Sequence, residues 1–168
     1  ASGVMRILGV DPGTRATGYG ILELVARPSR LMYVCHGTIR PRADDMASRL
    51  QEIFRGLADL FDEYSPSEVA VETSFYGMNA QSALKLGQAR GVILLAASLN
   101  DIPVFEYTPT EVKKATCGYG HAEKDQIHAM VCTILGLPRH ILTSRDASDA
   151  LAVGVCHASA RRMKGVVR

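Results

Sequence analysis

The chain has 168 residues, 47% of them apolar and 21% charged, with a formal net charge of +2. That length matches a single domain spanning residues 1–168 and suffices for a core without disulfide or metal staples. The composition excludes a disordered or fibrous chain. The longest apolar run, Val92 to Ala97, is far too short to cross a bilayer. No apolar leader precedes the first predicted strand, so a cytoplasmic protein without a membrane partner is expected. Cys35, Cys117, Cys132 and Cys156 are widely spread, with no CxxC and no zinc-spaced histidines, and read as reduced thiols. Ala1-Ser2-Gly3 lacks an initiator Met and is left outside the fold, and residues 163–168 are expected to form a flexible tail.

In chain order, Met5 to Asp11, Gly18 to Val25 and Leu31 to Arg40 read as an antiparallel meander, divided by Asp-Pro-Gly-Thr and Arg-Pro-Ser-Arg turns. Residues 44–63 place Met46, Leu50, Ile53, Phe54, Leu57, Leu60 and Phe61 at the spacing of a one-sided amphipathic helix. Val69 to Glu72 is a short buried strand. A loop with Phe75, Tyr76 and Gly77 leads to a long helix from Asn79 to Leu99, whose Gly87 and Gly91 predict a close approach by a neighbouring element. Pro103 to Glu106 is a fifth strand, and helices follow over Thr110 to Thr116, Ala122 to Leu135 and Asp146 to Arg162. The pattern describes a mixed α/β sheet with helices on its faces.

Four carboxylates stand out by position. Asp11 ends the apolar run from Met5, Glu72 ends Val69-Ala70-Val71, and Asp146 with Asp149 opens Ala150 to Val155. Acidic residues are rarely buried unless paired or metal-bound. Carboxylates sharing a pocket repel, so one must protonate or a cation must intervene, and oxygen-only ligands favour Mg²⁺ or Mn²⁺. Each has a structural alternative: Asp11 as a turn opener, Glu72 as a solvated strand end, Asp146 as an N-cap with Asp149 completing a capping box.

Asp11-Pro12-Gly13-Thr14 followed by Gly18 and Gly20 is the most specific local string. Such a turn projects Asp11 from its strand end and leaves the next strand's backbone approachable. Sugar-kinase and actin-like ATPases use an Asp-x-Gly-Thr hairpin for nucleotide phosphates, whereas ribonuclease-H-like nucleases use a first-strand Asp for metals. The ATPases need two such domains and this chain accommodates one, which favours the nuclease; a Walker motif is also missing.

From Met5 to about His157 the chain resembles the RuvC-type Holliday junction resolvases. The resemblance is carried by Gly9-Val10-Asp11-Pro12-Gly13, Glu72-Thr73-Ser74-Phe75, Asn79 through Gly91, Pro103 through Tyr107, Ala122-Glu123-Lys124 and Asp146-Ala147-Ser148-Asp149-Ala150-Leu151. It implies a ribonuclease-H-like five-stranded sheet flanked by helices, and a homodimer that nicks four-way DNA junctions symmetrically with Mg²⁺ or Mn²⁺. By position, Asp11, Glu72, Asp146 and Asp149 match the family's metal-binding carboxylates, two ions per site being implied. Some members carry His at the position of Asp146. Phe75 matches an aromatic that enters the junction, with Tyr76 the second candidate. Lys113 and Lys124 match basic positions near the scissile phosphate, with Lys114 and Arg90 as further phosphate contacts. The family also suggests a branch-migration helicase complex as partner.

A basic surplus outside the acidic 44–68 region suits an anionic polymer partner, though solubilising surface charge explains it as well. The five histidines lack ligand spacing and read as structural, His121 alone being a candidate neighbour of the site. Ser74 and Cys117 lack a recognisable base partner, which argues against covalent catalysis. Two other readings stay open: a catalytically inactive ribonuclease-H-like nucleic-acid binder, and a phosphotransferase fragment. The 79–99 helix is the expected dimer contact.

Overall fold

The computed structural model describes residues 3–74 and 77–165. Its elements are β1 (Val4–Asp11), β2 (Thr17–Val25), β3 (Arg30–Ile39), α1 (Met46–Tyr64), β4 (Glu68–Glu72), α2 (Ala80–Leu99), β5 (Val104–Tyr107), α3 (Pro109–Cys117), α4 (Lys124–Leu135) and α5 (Arg145–Met163). They build a five-stranded sheet in the order β3-β2-β1-β4-β5. The first three strands form the expected meander, and β4 and β5 add in parallel beside β1.

β1 is central, which is why its stretch from Ile7 to Val10 is continuously apolar rather than alternating: side chains on both faces are covered there. Ile7, with Leu22, Leu24 and Ala70, meets α3, α4 and α5 on one face. Leu8 and Val10, with Ile21, Val69 and Val71, meet α1 and α2 on the other.

Element ends follow capping chemistry. Asp45 caps α1 by accepting from the Ser48 N–H at 2.8 Å, which starts that helix at Met46 rather than at residue 44. Thr108 and Glu111 form a capping box around Pro109 and open α3 one residue before the expected Thr110. The Gln126 side chain accepts from the Glu123 N–H at 2.9 Å, so α4 begins at Lys124 and Ala122 stays outside it. Met163, assigned to the tail by sequence, closes α5, and Val166, Val167 and Arg168 fall outside the described residues.

The expected close packing at Gly87 and Gly91 is not what this fold does. A side chain at either position would meet nothing within 4 Å. α2 instead turns Ala89, Ile93, Ala96 and Ala97 into the core, and the glycine face looks outward.

Close approach occurs at α5. A Cβ on Gly9 would overlap the Ala150 carbonyl, and one on Gly18 would overlap the Asp146 carbonyl. These glycines let the first turns of α5 settle directly on the backbones of β1 and β2. The helix is lined with small residues and is buried continuously from Ala150 to Ala158.

Candidate active site

The register of β1 against β4 pairs Val10 with Val71, so Asp11 and Glu72 come next as neighbours at the same end of two parallel strands. Adjacent strands lie about 4.8 Å apart, and both residues fall on the face that α5 covers. Asp11 is held by its turn: the Thr17 hydroxyl donates to the Gly13 carbonyl at 2.7 Å, closing the Pro12–Ala16 loop.

The first turns of α5 bring in the other pair. Asp146 and Asp149 are three residues apart and share a face of the helix. The capping alternative for Asp146 is corrected by the structure. Ser144 is the N-cap, accepting from the Ala147 N–H, and its hydroxyl also lies 3.1 Å from the Thr38 hydroxyl on β3. With Ser144 as the cap, Asp146 and Asp149 line the cavity rather than the helix end.

Asp11, Glu72, Asp146 and Asp149 line one cavity of about 680 Å³, with Lys113, Lys124 and His121 on its walls. Burial drives the Asp11 carboxyl up to about 8, and repulsion from Asp149, Glu72 and Asp146 adds to this against the pull of Lys124. Glu72 is pushed up to about 7 by burial and then by Asp149, with Lys124 and Lys113 opposing. Asp149 is raised as well, chiefly by burial. Lys124 reaches the cavity from an exposed stem, its Nζ 3.9 Å from Asp149 Oδ2, a contact too open to solvent to neutralise the cluster.

Among the described residues, no three carboxylate, imidazole or thiolate side chains stand close enough together to hold a metal ion as placed. The four carboxylates share a cavity and one another's field. Their mutual repulsion and all-oxygen chemistry fit a hard divalent cation, whose charge would return them to the ionised state.

The other residues singled out by sequence divide. Lys113, Lys124 and His121 reach the cavity. Lys114 lines a separate groove with Tyr107, Cys156 and Met163, and Arg90 is ion-paired with Glu106 on β5. Phe75 and Tyr76 lie outside the described residues. Sequence reasoning missed Ser144 as the cap that places α5, although Ser followed three residues later by Ala147 carries only a weak signal. It also missed the overlap that Gly9 avoids, which no local pattern announces.

A meander of three antiparallel strands, two parallel strands beside it and acidic side chains at the shared end of β1 and β4 define a ribonuclease-H-like nuclease. Residues 7–157 match the family model for crossover junction endodeoxyribonuclease RuvC, and the chain belongs to that family. It is 50% identical over 165 residues to the crossover junction endodeoxyribonuclease RuvC of Geobacter metallireducens, covering 98% of each chain. To the Syntrophotalea carbinolica protein of the same name it is 52% identical over 155 residues, covering 92% of this chain and 94% of that one. Among solved structures, Thermus thermophilus RuvC in complex with Holliday junction substrate superposes with a TM-score of 0.86 at 31% identity, covering 95% of this chain and 96% of that one.

Proposed function

We propose that this protein resolves four-way DNA junctions by metal-dependent phosphodiester hydrolysis, with Asp11, Glu72, Asp146 and Asp149 holding the metal. The observation that carries this reading is the convergence of four carboxylates from β1, β4 and α5 on one cavity with lysines at its walls. The relatives' names and the junction-bound Thermus structure support the substrate. The intact carboxylate set disfavours an inactive nucleic-acid binder, and the likeness along nearly the whole chain to nucleases disfavours a phosphotransferase fragment.

Mg²⁺ is the proposed ion, with Mn²⁺ as substitute and two ions per site. The chemistry that bound ions would supply is activation of water and neutralisation of charge on the attacking and leaving oxygens. The chain's own part is placement. Asp11 and Glu72 are fixed by strand register, Asp146 and Asp149 by the seating of α5, and Lys113 and Lys124 offset phosphate charge as point charges. Phe75 is proposed to stack on a base at the junction. Lys114 and Arg90 are proposed as outlying phosphate contacts, Arg90 on releasing Glu106.

Two symmetric nicks need two sites related by a two-fold axis, and α2 is the proposed dimer contact. Leu84, Leu95 and Leu99 on α2 are 64%, 55% and 65% exposed, and the space beside Gly87 and Gly91 is open. Such an apolar stripe with room for a second backbone suits a copy of itself. A single nuclease domain working in the cytoplasm with a branch-migration helicase complex completes the proposal. Among the described residues, no helix is long and apolar enough to cross a membrane.

The test is cleavage of labelled four-way DNA beside linear duplex, with and without Mg²⁺. Symmetric nicks in the junction that require the metal are expected. Equal cutting of linear duplex would end the claim of structure selectivity.

A further inference from the structure

At the end of β4 and α5 remote from the carboxylates, a second polar cluster is built around the buried Glu68 and His157, with Tyr107 and Arg161 half-buried at its edge. Glu68 opens β4 at 7% exposure, and His157 on α5 is fully buried. The His157 Nε2 is hydrogen-bonded to a Glu68 carboxylate oxygen. Arg161, one turn further along α5, clasps the same carboxylate with two N–H groups, Nε lying 2.9 Å from Oε2. The Tyr107 hydroxyl lies 2.6 Å from His157 Nδ1. Phe105 closes the cluster: its ring centroid is 4.6 Å from that of His157, and the Arg161 guanidinium sits 4.5 Å above it.

Burial opposes ionisation of Glu68, yet the bonds from Arg161 and His157 hold it below the ordinary glutamate range. Burial holds His157 down against the pull of Glu68. The cluster therefore rests as a carboxylate accepting from Arg161 and from a neutral imidazole Nε2–H, whose Nδ1 accepts from the Tyr107 hydroxyl. Among the described residues, no buried side-chain donor or acceptor lacks a partner.

Replacing a buried ion pair by well-packed apolar side chains is often neutral or stabilising, so stability alone does not account for such a cluster. Directional bonds add to the seating at Gly9 and Gly18 a second constraint on register at the far end of α5, because a fully paired polar network is satisfied in one arrangement only. The elements joined here are those that supply the site. Tyr107 pairs in register with Glu72, and its carbonyl accepts from the Thr73 N–H at 2.8 Å. The next residue, Thr108, caps the helix that carries Lys113. His157 and Arg161 ride on the helix that carries Asp146 and Asp149.

We propose that Tyr107, His157, Glu68 and Arg161 are positioning residues that set α5 against β4 and β5, and so set Asp146 and Asp149 against Asp11 and Glu72. The inference rests on the metal-holding role of those carboxylates. A slip of one residue along a helix is about 1.5 Å, beyond the roughly 0.5 Å that a working constellation tolerates.

Tyr107→Phe removes one oxygen and keeps the ring, and Glu68→Gln removes the charge and keeps the shape. Each is compared with the unaltered protein, cleavage and junction binding being measured well below the melting temperature. Three quantities are measured: the Mg²⁺ concentration giving half the metal-induced rise in Tm without DNA, single-turnover junction cleavage against Mg²⁺, and junction binding in EDTA. Residues that support metal ligands typically change metal affinity about 10-fold or more, so that rise in the metal requirement is expected, with junction binding in EDTA within about twofold. A lower Tm with an unchanged metal requirement and unchanged cleavage in Tyr107→Phe would overturn the proposal, even if Glu68→Gln fails to fold. Unaltered protein that neither takes up the metal nor cuts junctions would instead sink the functional reading.

Discussion

Replacing Asp11 with Asn should stabilise the metal-free protein while abolishing its cutting. In the folded chain the Asp11 carboxyl titrates at about 8 against an ordinary 3.8. A raised folded-state pKa means that the folded form holds the proton more tightly than the unfolded one. The associated stability is therefore fully present below about pH 4 and is lost progressively as the pH rises to 8. At pH 7.5 the span from 3.8 corresponds to a ceiling of about 5 kcal/mol. The cavity is open to water and the carboxylates raise one another, so about 2–4 kcal/mol is expected from a single neutral substitution. For a chain of this length that is roughly 5–15 °C in Tm. The assay is thermal unfolding in EDTA at pH 5, 6, 7 and 8, with the variant compared against the unaltered protein so that other titrating groups cancel. The gap should open steadily with pH and close when Mg²⁺ is added to the unaltered protein, since metal binding displaces the proton. A gap that is constant across the range, or that opens toward acid, would refute the view that these carboxylates repel in one buried site.

Glu72→Gln and Asp149→Asn should each bind a four-way junction in EDTA as the unaltered protein does and lose cleavage in Mg²⁺ by about 100-fold or more, read by gel shift and by single-turnover nicking. Gly18→Ala should destabilise by about 1–3 kcal/mol, because its Cβ meets the Asp146 carbonyl and α5 must lift; urea unfolding measures this, and cleavage should fall further than stability alone requires. Leu95→Lys, which charges an exposed position of α2, should convert a sedimenting dimer to a monomer at micromolar concentration without lowering Tm in the monomer range.

Much of the site was legible because its residues are anomalous where they stand. A carboxylate at the end of an apolar run, as at Asp11 and Glu72, breaks the local pattern, and that conflict with burial marks it out. The four carboxylates and Lys113 and Lys124 do share a cavity. Capping was less legible. Asp146 satisfies the N-cap preference as well as Ser144 does, and only the path of the chain past Thr38 selects the serine. Gly87 and Gly91 misled for a related reason. Helical spacing says that a face has no side chains, yet says nothing about whether this chain or another will occupy it. Lys114 and Arg90 look like Lys113 in sequence, but helix phase turns Lys114 into another groove, and Glu106 claims Arg90.

The sequence by itself determined the element order, the meander and a mixed sheet, because periodicity is a local signal. It singled out the acidic candidates by their place beside apolar runs, while resemblance to the family grouped the four. That β4 and β5 run parallel to β1 came from the structure. Only the tertiary structure decided that α5 lies on β1 and β2 at Gly9 and Gly18, that Ser144 frees Asp146, and that Glu68, Tyr107, His157 and Arg161 close into one network. Those contacts join residues far apart in the chain, such as Glu68 and Arg161 across 93 positions. Their pairing depends on packing distance and bond direction, neither of which any single segment encodes.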